Sequence, residues 1–86
     1  MSTRVAFVTG ASGGIGSACA AALAAAGHRV ALGYGTSAGA ADKAREAIEQ
    51  AGGTAMTVHA DVTSPEAVDA AFAAVEQAWG PVEILV

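Results

Sequence analysis

The residues from Val8 to Ala18, Val-Thr-Gly-Ala-Ser-Gly-Gly-Ile-Gly-Ser-Ala, hold the densest group of side chains and backbone suited to chemistry. Gly10, Gly14 and Gly16 fall in a Thr-Gly-x-x-x-Gly-x-Gly spacing. Glycines permit a tight turn and let a ligand approach the main chain. Where they precede a helix, they expose its free N–H groups and its partial positive charge, a cradle for a phosphate. A lysine directly after the last glycine would point to the other common phosphate loop. Ser17 stands there, so that pattern is not met. Other combinations frame no site. Ser12, His28 and Asp42 do not form a nucleophilic triad, because Ser12 lies in the glycine loop rather than in a Gly-x-Ser-x-Gly elbow. His28 and His59 lack metal-ligand spacing and read as structural. Glu76 and Glu83 fall on different elements, and the single Cys19 excludes an internal disulfide and a multi-cysteine metal site.

The elements that would position the loop follow from the hydrophobic period. Val5-Ala6-Phe7-Val8 is a short apolar run, as a strand buried on both faces would be. From Ile15 the period becomes helical. Ile15, Ala18, Cys19, Ala22, Leu23 and Ala26 form the expected apolar stripe, with Cys19 buried and Gly27 as the stop. Val30-Ala31-Leu32 reads as a second strand, and a loop from Thr36 to Ala40 as the flexible part. A second helix is expected from about Ala40 to Ala51, with Ala41, Ala44, Ile48 and Ala51 inward. Thr54 to His59 alternates as a third strand. Ser64-Pro65-Glu66 combines an N-cap, a proline at the first helical position and an acid in the first turn. Val68, Ala71, Phe72, Val75 and Trp79 give that helix its stripe, Gly80-Pro81 ends it, and Val82 to Val86 begins a fourth strand.

The order is β-α-β-α-β-α-β, an α/β class with a parallel sheet and right-handed crossovers. At 86 residues the chain makes at most one small domain. Its net charge of −4, spread over the helical segments, argues against nucleic acid as a partner. No apolar run suits a membrane span or a signal peptide, which points to the cytoplasm. The last strand stops on Ile84-Leu85-Val86, which reads as the front of a longer domain, residues 1–86 being its N-terminal part.

With the glycine spacing, Asp61-Val62 after the third strand and the Gly-Pro-Val-Glu-Ile-Leu-Val run, the whole chain resembles the short-chain dehydrogenase/reductase family. The resemblance implies a Rossmann-type sheet, here the N-terminal portion of a doubly wound fold, that holds a nicotinamide dinucleotide. It implies that Gly10, Ala11, Ser12 and Gly13 wrap the adenosine ribose and phosphates. Gly14, Ile15 and Gly16 would bring the helix N-terminus to the pyrophosphate. Asp61 would accept a hydrogen bond from the adenine amino group, and Val62 would border the ring. The competing reading of Asp61 is a residue that caps the turn before Ser64.

Tyr34 stands where an NAD-binding site usually places its ribose-binding acid, and no acid precedes Asp42. That leaves room for a 2′-phosphate beside Tyr34, Gly35, Thr36 and Ser37 and favours NADP(H), with NAD(H) as the alternative. Basic residues common at two family positions are replaced by Gly13 and Gly35, and Lys43 and Arg45 lie further off. Within the family the loop and Arg-Val-Ala-Leu-Gly-Tyr-Gly-Thr-Ser-Ala-Gly-Ala look most like bacterial 3-oxoacyl-(acyl-carrier-protein) and acetoacetyl-CoA reductases, enzymes of fatty acid biosynthesis and related thioester chemistry. The family's Ser, Tyr and Lys that act on the carbonyl have no match here, so no catalytic residue is assigned. The resemblance further implies an acyl-thioester or small-molecule substrate and a tetramer for a full-length protein. A non-catalytic nucleotide-binding or interaction module is the other reading.

Overall fold

The computed structural model describes residues 3–10, 14–36 and 38–86. Seven elements follow in the expected order: β1 (Val5–Val8), α1 (Gly14–Ala25), β2 (Arg29–Tyr34), α2 (Ala38–Gln50), β3 (Thr54–His59), α3 (Pro65–Trp79) and β4 (Val82–Leu85). The strands are parallel, in the spatial order β3-β2-β1-β4. Val5 pairs with Arg29 and Val8 with Leu32, while Tyr34 at the end of β2 pairs with His59 at the end of β3. All the strand C-termini therefore open on one edge of the sheet.

Alternation along the strands divides the core. Ala6, Val8, Val30, Leu32 and Ala55 face α1 and α2 and pack with Ala20 and Ile48. Val5, Phe7, Ala31 and Val58 face α3 and pack with Ala71 and Val75. Phe7 is fully buried and stacks on Phe72, with ring centroids 4.7 Å apart. α1 and α2 thus cover one face while the chain moves outward from β1 to β3. α3 then carries it back under the other face to β4, on the opposite side of β1. This reversal makes a topological switch point between β1 and β4, at whose carboxyl ends an open α/β sheet forms its ligand crevice.

The start of α3 follows its sequence signal. Ser64 Oγ accepts from the Ala67 N–H at 3.3 Å, and Pro65 opens the helix. The face of α1 differs from expectation. Ile15 is 85% exposed, Ala18, Ala22 and Ala26 are also exposed, and Cys19 is half-buried. Ala20 is the buried residue, with Leu23 and Ala24 packed beside it. The helix is apolar almost all round, so periodicity does not select a face. The face is set instead by tertiary packing, which puts Ala20 against Ala6, Val8, Val30 and Leu32 of the sheet. α2 begins at Ala38, inside the segment read as a flexible loop.

Candidate functional site

β1 leaves the sheet through Thr9 and Gly10. Gly10 has φ +65°, a left-handed conformation that glycine adopts without strain, so the turn needs it. Thr9 ties this exit to the end of β4: its N–H and its Oγ each donate to the Val86 carbonyl at 3.0 Å. The Val86 N–H in turn donates to the Phe7 carbonyl at 2.9 Å. The two strands that flank the switch point are thus held together at the crevice.

α1 begins at Gly14 with no acidic side chain in its first turn. The first four N–H groups of a helix have no intrahelical acceptor, so this turn offers donors and a positive field. Among the described residues, a Cβ built on Gly14 would meet nothing within 4 Å. The same is true at Gly10 and Gly35. Among the described residues, packing does not require the bare backbone at Gly14. A helical glycine costs roughly 0.5–1 kcal/mol relative to alanine, and here the space beside it is open. That is the kind of cradle a pyrophosphate would fit. Ala11, Ser12 and Gly13, expected to complete it, lie outside the described residues, as does Ser37. Ile15 and half-buried Gly16 follow Gly14 in the first turn, Ile15 with its side chain in solvent.

At the end of β2, Tyr34 is half-buried and Gly35 and Thr36 are exposed. The Tyr34 ring stands edge-on to His59, centroids 5.6 Å apart, and its carbonyl accepts from the Ala60 N–H at 2.8 Å. Beside it a cavity of about 300 Å³ is lined by Tyr34, Ala38, Gly39, Asp42 and Thr57. Asp42 brings a carboxylate to that cavity, but Arg45 pairs with it at 2.8 Å. Arg45 also pairs with Glu49, and its pKa is raised by the hydrogen bond to Asp42 first and by the nearby acids. A larger apolar cavity of about 510 Å³ runs between α1 and α2, past Ala21, Ala25, Ala47 and Ala51. It starts at Ser17 in the first turn of α1 and at Ala40 and Lys43 near the start of α2, and runs along the helices to Gly53.

Asp61 follows β3. Its Oδ1 accepts from the Thr63 N–H at 2.9 Å and from Thr63 Oγ1 at 2.7 Å, and its carbonyl accepts from the Ser64 N–H at 3.0 Å. These bonds make the turn that leads into α3, so the capping role of Asp61 is present. The Thr63 hydroxyl and then the Thr63 amide, with help from the charge of His59, hold the carboxyl below its ordinary range. Val62 is 69% exposed.

The topology therefore brings Gly10, the first turn of α1, Tyr34 to Thr36, and Asp61-Val62 to the same edge of the sheet. Thr9 and Thr63 hold the loops there, and sequence reading missed both. An Asp-x-Thr tripeptide is a known Asx-turn signal and could have identified Thr63; Thr9 bonds a residue 77 positions away, which no local pattern reports. His28 accepts from the Arg4 N–H through Nδ1 at 3.2 Å, at the opposite end of β2. Among the described residues no three metal-ligating side chains cluster, and no helix is long and apolar enough to cross a membrane.

The profile of the short chain dehydrogenase family matches residues 4–86. The chain belongs to the short-chain dehydrogenase family. It is 40% identical over 86 residues to the 3-oxoacyl-[acyl-carrier-protein] reductase of Synechocystis, covering all of this chain and 35% of that protein. A dehydrogenase/reductase from Sinorhizobium meliloti superposes with a TM-score of 0.95 at 42% identity, over 99% of this chain and 34% of its own. A short chain dehydrogenase from Burkholderia cenocepacia, solved in complex with NADP, gives a TM-score of 0.88 at 43% identity, over 96% of this chain and 34% of its own. The chain thus spans about a third of the length of these short-chain dehydrogenases. The parallel Rossmann-type sheet follows from this membership.

Proposed function

We propose that the strand-end edge holds NADP(H) in preference to NAD(H). We propose further that the whole protein reduces a ketone, of the 3-oxoacyl-thioester class, to an alcohol. One observation supports the reading: Gly14 is the bare opening residue of α1, and among the described residues nothing packs against the position its Cβ would take. Gly10, Ala11, Ser12 and Gly13 would wrap the adenosine ribose and phosphates. Gly14, Ile15 and Gly16 would donate main-chain N–H groups to the pyrophosphate. Asp61 would accept from the adenine amino group, with Val62 against the ring. Tyr34, Gly35 and Thr36 would border the ribose 2′ position. An uncharged Tyr34 where an acid would bond both ribose hydroxyls removes the repulsion that a 2′-phosphate would meet, and so supports NADP(H). The bound dinucleotide supplies the hydride chemistry; these residues bind and orient it. The relationship to a 3-oxoacyl reductase supports the substrate class, and the tetramer that the family resemblance implies is proposed with it.

The test is calorimetric titration of the intact gene product that carries this sequence with NADPH and NADH, beside its Tyr34→Asp variant. NADPH is expected to bind more tightly, and Tyr34→Asp to shift the ratio of affinities toward NADH by about tenfold or more, the equivalent of one charge-assisted hydrogen bond. Equal or tighter NADH binding by the unaltered protein would overturn the cofactor preference. Binding of neither by a folded protein would overturn the site and return the interaction-module reading.

A further inference from the structure

We infer that Thr63 is a positioning residue for adenine recognition: by holding Asp61 Oδ1 it aims Oδ2 at the purine 6-amino group and selects against a 6-oxo purine. The inference rests on the reading of Asp61 as the adenine acceptor and adds the group that orients it. Two short bonds from one residue, 2.9 Å from the amide and 2.7 Å from the hydroxyl, occupy both lone pairs of Oδ1 and set the plane of the carboxylate. Among the described residues nothing donates to Oδ2, and Asp61 is only half-buried, so that oxygen is available at the surface. The exposed Val62 side chain next to it offers an apolar wall to a flat ring. A carboxylate is acceptor-only. It therefore attracts the donor N–H of a 6-amino purine and repels the carbonyl oxygen of a 6-oxo purine. The Thr63 hydroxyl that orients the group also holds its carboxyl below the ordinary carboxylate range.

The experiment measures dissociation constants of NADPH and of its hypoxanthine counterpart, in which the amino group is replaced by oxygen, for the intact gene product. Thr63→Val, Thr63→Ala and Thr63→Ser are measured alongside. The unaltered protein is expected to favour NADPH by about tenfold or more, the worth of one hydrogen bond to a charged group. Thr63→Val and Thr63→Ala should bring that ratio down to about threefold or less, and Thr63→Ser should keep it. NMR titration of the Asp61 carboxyl should show its pKa rising in Thr63→Val and staying in place in Thr63→Ser. A weakening of both ligands by the same factor in Thr63→Val, with the ratio intact, would show that Thr63 only closes the turn and would overturn the inference. Equal affinity for the two ligands in the unaltered protein would remove the adenine role of Asp61 itself, and the inference with it.

Discussion

Replacing Gly14 by alanine should move stability and binding in opposite directions. Among the described residues the added Cβ meets no atom within 4 Å, so no packing term from them opposes it. Gly14 is the first residue of α1, where alanine is favoured over glycine by at most roughly 0.5–1 kcal/mol through the entropy lost on ordering the backbone. For a domain of this size that gain raises the melting temperature by about 2–8 °C. The same methyl group projects into the space through which a pyrophosphate would reach the first-turn N–H groups. Loss of one hydrogen bond to a charged oxygen corresponds to about 10- to 100-fold in affinity. Thermal unfolding by circular dichroism and NADPH calorimetry on one preparation read both effects. A variant that is more stable and binds as well as the parent would show that the glycine is not kept for a ligand. A loss of stability above about 1 kcal/mol would refute the steric reasoning.

Three further outcomes follow from the packing and the hydrogen bonds. Gly33→Ala should destabilise by about 1–3 kcal/mol in chemical denaturation, because its Cβ would fall 2.9 Å from Phe7 Cε1 and 3.3 Å from the Val8 carbonyl at the centre of the sheet. Ser64→Ala removes the acceptor for the Ala67 N–H and should cost about 1 kcal/mol, seen as a melting temperature lower by about 4–8 °C. The lowered pKa of Asp61 makes a stabilising contribution that is complete above the unfolded carboxyl value of about 4 and is lost as pH falls through the folded value. Melting curves between neutral and strongly acid pH should therefore show Asp61→Asn with a weaker acid dependence than the parent, and the same slope as the parent above about pH 5.

Local signals explain what was legible. Thr54–His59 emerged with its observed bounds because its β-type residues lie between Gly52-Gly53 and a polar turn. The start of α3 was readable because Ser64, Pro65 and Glu66 each satisfy a separate requirement of a helix N-terminus. β2 extends to Tyr34, beyond the Val30–Leu32 run, because Gly33 interrupts the pattern without interrupting the strand. Phe7 fills the volume a side chain at Gly33 would need. The face of α1 was not readable, since alanine on every side leaves the choice to tertiary packing. At the site, the glycine spacing and Asp61-Val62 were visible, but the hydrogen bonds that hold the loops were not. Thr9 depends on the distant β4, whereas Thr63 was within reach of the local Asp-x-Thr signal, which was not used.

The central claim is that the strand-end edge, and not the larger groove between α1 and α2, takes the dinucleotide. The most direct test is NADPH titration of the isotopically labelled gene product, followed by amide NMR shifts. The account predicts saturable shifts at Gly10, Gly14 to Gly16, Tyr34 to Thr36 and Asp61 to Thr63, with Ala21, Ala25, Ala47 and Ala51 unmoved. Shifts concentrated at those four alanines, or none in a folded protein, would contradict it.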